Sequence, residues 1–258
     1  MAFVKAGGSR LEYEWVGVGP AEGPTVVMLH EGLGSVAMWR DFPSRVAKTT
    51  GLRVLVYSRR GYGRSDPVTD LPCPVDYMHR EAQEVLPDLF RALDVRRPIL
   101  LGHSDGASVA LIYAGSDLDP RPESIIVMAP HVNIEPSNIL SIAKVRVLWE
   151  ETDLRGRLAR YHDDPDNAFF SWNLAWLMPE FRNWNIEEFL PKIRGPITVI
   201  QGLEDEYGSP QQPETIKRMA SGPVNTILLS GCGHSAHRDS PEQTLAAIAD
   251  HVKLAATA

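Results

Sequence analysis

The sequence holds only two cysteines, Cys73 and Cys232, far apart and in no paired spacing. A disulfide framework is therefore not expected, and free thiols in a reducing cytoplasm are. No run approaches the roughly 18 apolar residues of a membrane span, and the opening "MAFVKAGGSRLEYEW" has no apolar h-region. A cytoplasmic protein without a membrane span is the expectation. Positive charge is also in short supply, with 26 Lys and Arg against 33 Asp and Glu, a net charge of −7. Nucleic acid needs a basic footprint and is not an expected partner. Internal repeats, low-complexity stretches and blocks of like charge are absent. What remains is 258 residues, 43% hydrophobic and 23% charged. Such a chain can bury a sizeable core as one large domain, or as a domain with an inserted subdomain.

Strand and helix patterns alternate along it. "LEYEWV" (11–16) alternates like a half-buried strand. "TVVMLH" (25–30) and "RVLVYS" (53–58) are continuous apolar runs, as strands buried on both faces should be. Between them "SVAMWRDFPSRVAKTTG" reads as an interrupted helix ending at Gly51. "PVDYMHREAQEVLPDLFRALDV" places Met78, Ala82, Val85, Leu86, Leu89 and Leu93 on one helical stripe. "PILLGHS" (98–104), "GASVALIYAG" and "ESIIVMAP" (123–130) continue the alternation. It then stops, and residues 133–195 are helix-like and rich in tryptophan. It resumes with "PITVIQG" (196–202), a helix around 213–221, "NTILLSG" (225–231) and a last helix, "SPEQTLAAIADHVKLA". This pattern predicts an α/β fold, a mostly parallel doubly wound sheet with helices on both faces. Residues 1–132 and 196–258 form its core, and 133–195 are an inserted helical lid.

One stretch concentrates the chemistry. "LLGHSDGAS" (100–108) ends a buried strand and sets Ser104 between two glycines, just before a helix. An N-cap serine is the plain reading. A nucleophile on a strained strand-to-helix turn, its hydroxyl exposed above the sheet, is the other. A serine hydroxyl needs a base to take its proton, and the base needs an orienting carboxylate. Open parallel sheets place such groups at the carboxyl ends of later strands. There lie "LEDEYG", after "ITVIQG", and "CGHSAH", after "TILLSG". Asp205, Glu204 and Glu206 are candidate acids, and His234 and His237 candidate bases. A metal site from His234, His237 and Asp239 lacks a further ligand cluster, so no metal is expected.

Serine, then acid, then histidine is the chain order of the α/β-hydrolases, and the sequence resembles that family over essentially its whole length. It looks like the esterase branch with the pimeloyl-carrier methyl ester carboxylesterases and the biphenyl-hydrolase-like group. The family's elbow matches Gly102–His103–Ser104–Asp105–Gly106. Its "G-x-x-D" after the penultimate strand matches Gly202 and Asp205, and its "GH" after the last strand matches Gly233 and His234. "RGYGRSD" (60–66) matches the arginine–glycine turn after the fourth strand. The resemblance thus implies Ser104 as nucleophile, His234 as base and Asp205 as acid. It implies an oxyanion hole from the amides of Asp105 and Gly32, with Leu33 the alternative if the loop shifts by one. The loop "HEGLGS" departs from the family's usual "HG" start by placing Glu31 next. His237 is expected as a satisfied surface or helix-entry histidine, His103 as packing beneath the elbow and Cys232 as a small buried hydrophobe.

Leu33, His131, Trp172, Trp176 and Tyr207 are the expected pocket residues, the other insert aromatics packing the lid. Asp105 adds a question of charge. Facing the pocket, its carboxylate would favour a substrate ammonium; otherwise it bonds the backbone, and Arg59, Arg60 or His131 supply positive charge nearby. "GVG" (17–19) and "GYG" (61–63) do not complete a dinucleotide fingerprint. The expected activity is hydrolysis of small apolar or aromatic carboxylic esters through an acyl-enzyme, without a cofactor, by a monomer or homodimer. Cleavage of C–C bonds, lactones or amino-acid esters, acyl transfer, and a ligand receptor on the same fold are the alternatives.

Overall fold

The computed structural model describes residues 2–20 and 22–255. Eight strands make one sheet in the order β1-β2-β4-β3-β5-β6-β7-β8. β1 (Ala2–Ala6) and β2 (Ser9–Val16) form a hairpin, and β2 runs antiparallel to β4. The hairpin turns through Gly7 and Gly8, both at positive φ (55° and 75°), a backbone that two consecutive glycines adopt without a Cβ penalty. From β3 (Thr25–Leu29) through β4 (Arg53–Tyr57), β5 (Pro98–His103), β6 (Ser124–Met128), β7 (Ile197–Gly202) and β8 (Val224–Leu229) the pairing is parallel.

The apolar runs are explained by two cores, one on each face. Val27 and Leu29 point to one side, while Val26 and Met28 point to the other. β4 and β5 divide in the same way, Leu55 and Leu100 opposite Val54 and Ile99. One face is covered by α1 (Phe42–Thr50) at one end of the chain and by α10 (Pro241–Ala255) at the other. The opposite face carries α2 (Tyr77–Arg80), α3 (Leu86–Ala92) and α4 (Asp105–Ala114). α2 and α3 are joined by a π turn, Glu81–Val85, whose extra residue leaves Met78, Ala82, Leu86 and Leu89 buried.

Between β6 and β7 the chain forms α5 (Pro136–Glu151), α6 (Leu154–Leu158) and α7 (Pro165–Leu177), then two 3-10 turns. α8 (Gln211–Met219) and α9 (Ala236–Asp239) follow β7 and β8. Hydrogen bonds tie this helical segment to the sheet's loops. His162 donates from Nε2 to the Leu33 carbonyl (3.0 Å) and accepts at Nδ1 from the Gly63 amide (2.9 Å). Ser141 donates to the Glu206 carbonyl (2.6 Å), and Asn138 donates to that of Tyr207. The segment is therefore held over the carboxyl ends of β3, β4 and β7. Among the described residues no helix is long and apolar enough to cross a membrane.

Candidate active site

The serine sits where two close approaches of backbone force it. A Cβ on Gly102 would stand 2.3 Å from the Gly106 carbonyl oxygen, and one on Gly106 would stand 2.1 Å from that of Leu29. Only glycine fits either place, and this is the physical content of the G-x-S-x-G spacing. Ser104 itself takes φ 54°, ψ −117°, a strained backbone for a residue with a side chain. It occupies the N-cap position of α4, yet its hydroxyl makes no capping hydrogen bond. The plain cap reading is not what the structure adopts. Ser104 instead lines a cavity of about 260 Å³ at the carboxyl ends of the central strands.

The histidine and the acid arrive from β8 and β7. Nδ1 of His234 lies 2.9 and 3.0 Å from the two oxygens of Asp205. The same carboxylate accepts from the amides of Tyr207 (2.8 Å) and Gly208 (3.2 Å) and from Nε2 of Gln201 (2.7 Å). Burial opposes ionisation, but the hydrogen bond and charge of His234 and the Tyr207 amide bring Asp205 down to about 2. The pair acts in reverse on His234, which burial would lower and Asp205 raises above its usual value. With Nδ1–H spent on the carboxylate, Nε2 of a neutral His234 is an acceptor. Glu204 and Glu206 are exposed and do not bond to it.

His237 lies at the entry of α9 as expected, but it is neither on the surface nor satisfied. It is buried among Trp39, Phe42 and His103, with no hydrogen-bond partner at either ring nitrogen among the described residues, and burial pulls it down to about 3. Cys73 and Cys232 are buried free thiols. Among the described residues no group of three His, Cys, Asp or Glu side chains could hold a metal ion.

The loop after β3 is wired from inside. The Glu31 carbonyl accepts from His30 Nδ1 (2.7 Å), from the Arg59 guanidinium (2.8 Å) and from the Gly34 amide (3.1 Å). A trans peptide points its N–H opposite to its C=O, so three donors drawing the Glu31 oxygen inward turn the Gly32 amide the other way. Gly32 lines the cavity, and among the described residues its amide and that of Asp105 have no hydrogen-bond acceptor. Asp105 is the first residue of α4, whose N–H has no intrahelical partner. Gly32 also faces the tryptophan above it, because a Cβ there would stand 2.2 Å from Trp172 Nε1. Gly32→Ala is accordingly expected to displace either the loop or Trp172 and, on the proposal that this amide is an oxyanion donor, to cut turnover on the order of a hundredfold. Steady-state kinetics with circular dichroism checks this; full activity in a folded variant would show that the contact relaxes freely.

Leu33, His131, Trp172, Trp176 and Tyr207 all line the same cavity as Ser104 and His234. His131 packs against both His234 and Trp176, and burial pulls it down to about 3, so it is neutral. The other expected charges also lie elsewhere. Arg60 is exposed and donates to the Pro67 carbonyl and to Thr69. Arg59 is buried, with Nη1 3.7 Å from Asp105. Asp105 is the larger correction. Its carboxylate is fully buried, accepts from the Tyr77 hydroxyl (2.5 Å) and does not line the cavity. It neither awaits an ammonium nor bonds the backbone. Burial pushes its carboxyl above the usual range, against the opposing pull of Arg59 and Tyr77.

A second pair stands behind His234. His103 donates from Nε2 to the His234 carbonyl (2.8 Å) while its Nδ1 faces Glu31 Oε2 at 3.4 Å. Burial opposes a charge on Glu31, yet the His103 imidazole facing it holds its carboxyl well below the usual range. The departure from "HG" thus places a carboxylate at the cavity wall. Depressions of about 370 and 570 Å³ share no lining residue with this cavity, and neither is lined by a histidine.

A parallel sheet with its serine on the turn after β5 and an imidazole–carboxylate pair from the last two strands defines the α/β enzymes that work at a strand-to-helix elbow. Residues 26–248 match the model of the alpha/beta hydrolase family, and the chain belongs to that family. It is 36% identical over 214 residues to the human serine hydrolase BPHL, covering 79% of this chain and 70% of that protein. Against epoxide hydrolase 3 of Xenopus tropicalis it is 26% identical over 140 residues, 54% of this chain but only 36% of that longer protein. The enol-lactonase of Burkholderia xenovorans LB400 shares the fold, with TM-score 0.75 and 18% identity over 98% of this chain and 100% of that one.

Proposed function

We propose that the protein is a serine esterase acting on small apolar or aromatic carboxylic esters through a Ser104–His234–Asp205 triad. The observation that carries this reading is the His234–Asp205 pair opening onto one cavity with a serine in strained backbone whose hydroxyl caps nothing. Ser104 Oγ attacks the ester carbonyl carbon as His234 Nε2 takes its proton. Asp205 holds the Nδ1–H and stabilises the imidazolium. The negative oxygen of the tetrahedral intermediate is held by the Gly32 and Asp105 amides. His234 then protonates the leaving alkoxide, and water attacks the acyl-enzyme by the same steps with His234 again as base. A serine forms the acyl ester that this chemistry needs, whereas epoxide opening runs through an alkyl ester on a carboxylate nucleophile. Residues 133–195 act as the lid. Trp172 and Trp176 with Ile142 and Val145 give the cavity an apolar roof suited to a short acyl or aryl group.

The test is a panel of 4-nitrophenyl esters of increasing acyl length. Multiple turnovers, fastest with short or aromatic acyl groups, are the expected result. Stoichiometric release alone would make the protein a receptor, and the esterase reading would fall.

The pH dependence has a defined sign. Because Asp205 raises the His234 pKa above 6.5, kcat/KM should fall as pH drops through that raised value and the base becomes protonated. Asp205→Asn removes the raising cause. Its acidic limb should move to lower pH while turnover drops by roughly 10⁴-fold, as the imidazole loses its orienting acceptor. Glu204→Gln should keep both limb and rate. An unmoved limb in Asp205→Asn would take the acid role away from Asp205.

A further inference from the structure

Next to the cavity lies a second concavity that the mechanism does not use. It measures about 330 Å³ and opens between the turn after the oxyanion loop and α6. Met38, Leu154, Leu158 and Tyr161 contribute apolar surface, and Arg40, Arg157, Arg160 and Arg238 contribute four guanidinium groups. Among the described residues the side chains of Arg40, Arg157 and Arg160 have no carboxylate partner. Arg238 pairs with Glu31 at 3.7 Å. In this chain of net charge −7, Arg10, Arg45, Arg80, Arg91, Arg96 and Arg97 pair with acids while Arg53, Arg60, Arg182, Arg194 and Arg218 do not among the described residues, and what sets this groove apart is that four guanidiniums line one concavity. Arg238 also lines the cavity that holds Ser104, so cavity and groove meet at that one side chain.

Guanidinium forks recognise planar or tetrahedral oxyanions through paired hydrogen bonds, and several forks around one apolar trough suit an anion on a hydrocarbon or aryl stem. We propose that this groove receives the anionic end, carboxylate or phosphate, of an ester substrate whose carbonyl lies at Ser104. The inference rests on the esterase reading and adds the substrate's second feature: an apolar middle bounded by a negative charge. Glu31 fixes the polarity at the junction, since its carboxylate repels an anion from the cavity wall and leaves the arginine side as the favourable exit. Arg157 and Arg160 are the decisive pair, being exposed, on the far wall and outside the Ser104 cavity.

The test compares 4-nitrophenyl half-esters of adipic and suberic acid with the neutral hexanoate and octanoate esters, in the wild type and in Arg157→Gln/Arg160→Gln. The charged-to-neutral ratio of kcat/KM is the readout within each protein, which cancels acyl length and overall folding. It should fall by about tenfold in the double variant for the half-ester that reaches the groove, through KM. The wild-type preference should also shrink as salt rises from low to physiological strength. A wild-type ratio that the double variant leaves unchanged would overturn the proposal. A parallel arm needs no turnover: titrating monomethyl suberate and octyl phosphate into Ser104→Ala by calorimetry. Saturable binding that is lost when Arg157→Gln/Arg160→Gln is added supports the groove even if the esterase reading fails, and shows whether carboxylate or phosphate is preferred. No binding of either anion sinks it.

Discussion

Ser104→Ala is expected to lower ester turnover by about a thousandfold or more and to abolish labelling by a fluorophosphonate, with the fold intact. In the proposed triad the members act as one device, so removing the nucleophile removes nearly all that the device contributes and leaves the proposed oxyanion amides and binding alone. The backbone offers a second readout. With φ at 54° and ψ at −117°, Ser104 holds a conformation that costs a side-chain-bearing residue about 1–3 kcal/mol. Alanine keeps that strain, and glycine relieves it. Ser104→Gly should therefore be as inactive as Ser104→Ala while unfolding at a higher temperature, offset in part by the greater freedom of an unfolded glycine. Stability and activity then move in opposite directions at one position, the signature of strain held at a working residue. A Ser104→Ala protein that kept more than about a thousandth of wild-type turnover would remove the nucleophile assignment.

The parts of this molecule that were legible in the sequence are those whose physics is local. β3, β4, β5, β6 and β7 read as apolar runs because each is buried on both faces, a condition written into consecutive residues. Ser104, Asp205 and His234 read as a set because each follows a strand at a spacing that a turn demands. β1 left no comparable signal, since Ala2–Ala6 is a largely exposed edge strand with only Ala6 buried. The π turn at Glu81–Val85 was hidden because one inserted residue barely disturbs the helical stripe.

The electrostatics were the least legible, since they join residues from separate elements. Nothing near Asp105 in the chain announces that Arg59 and Tyr77 will enclose it, and nothing near His30 announces that Arg59 will share its acceptor on Glu31. The insert's aromatics divide in the same way. Trp172 and Trp176 border the cavity, while Phe169, Phe181 and Trp184 pack among themselves and their neighbours. Composition counts these rings but does not say which of them meet the substrate.

The Arg59–Asp105 pair carries the second large effect. Asp105→Ala is expected to destabilise the fold by about 3–5 kcal/mol, because it leaves a guanidinium buried without its counter-charge. For a chain of this size that lowers the unfolding temperature by on the order of 10 °C. The lost partner matters more than the lost contact. Arg59 is buried, two of its nitrogens, Nε and Nη1, make no hydrogen bond among the described residues, and the nearby carboxylate is what keeps its charge tolerable. The Tyr77 hydroxyl would lose its acceptor as well. Asp105→Asn keeps an acceptor for Tyr77 but no charge for Arg59, and should fall between the two. Removing both charges together separates stability from function. Arg59→Met/Asp105→Leu should recover much of the lost stability, since a buried ion pair is often replaceable by apolar side chains of similar volume. Turnover should not recover with it, because Arg59 is also one of the donors that draws the Glu31 carbonyl inward and so aims the Gly32 amide at the cavity. Thermal unfolding and steady-state kinetics on the three variants decide it. An Asp105→Ala protein that melts within a degree or two of wild type would mean that Arg59 finds water or another acceptor, and that the carboxylate is not what holds it there.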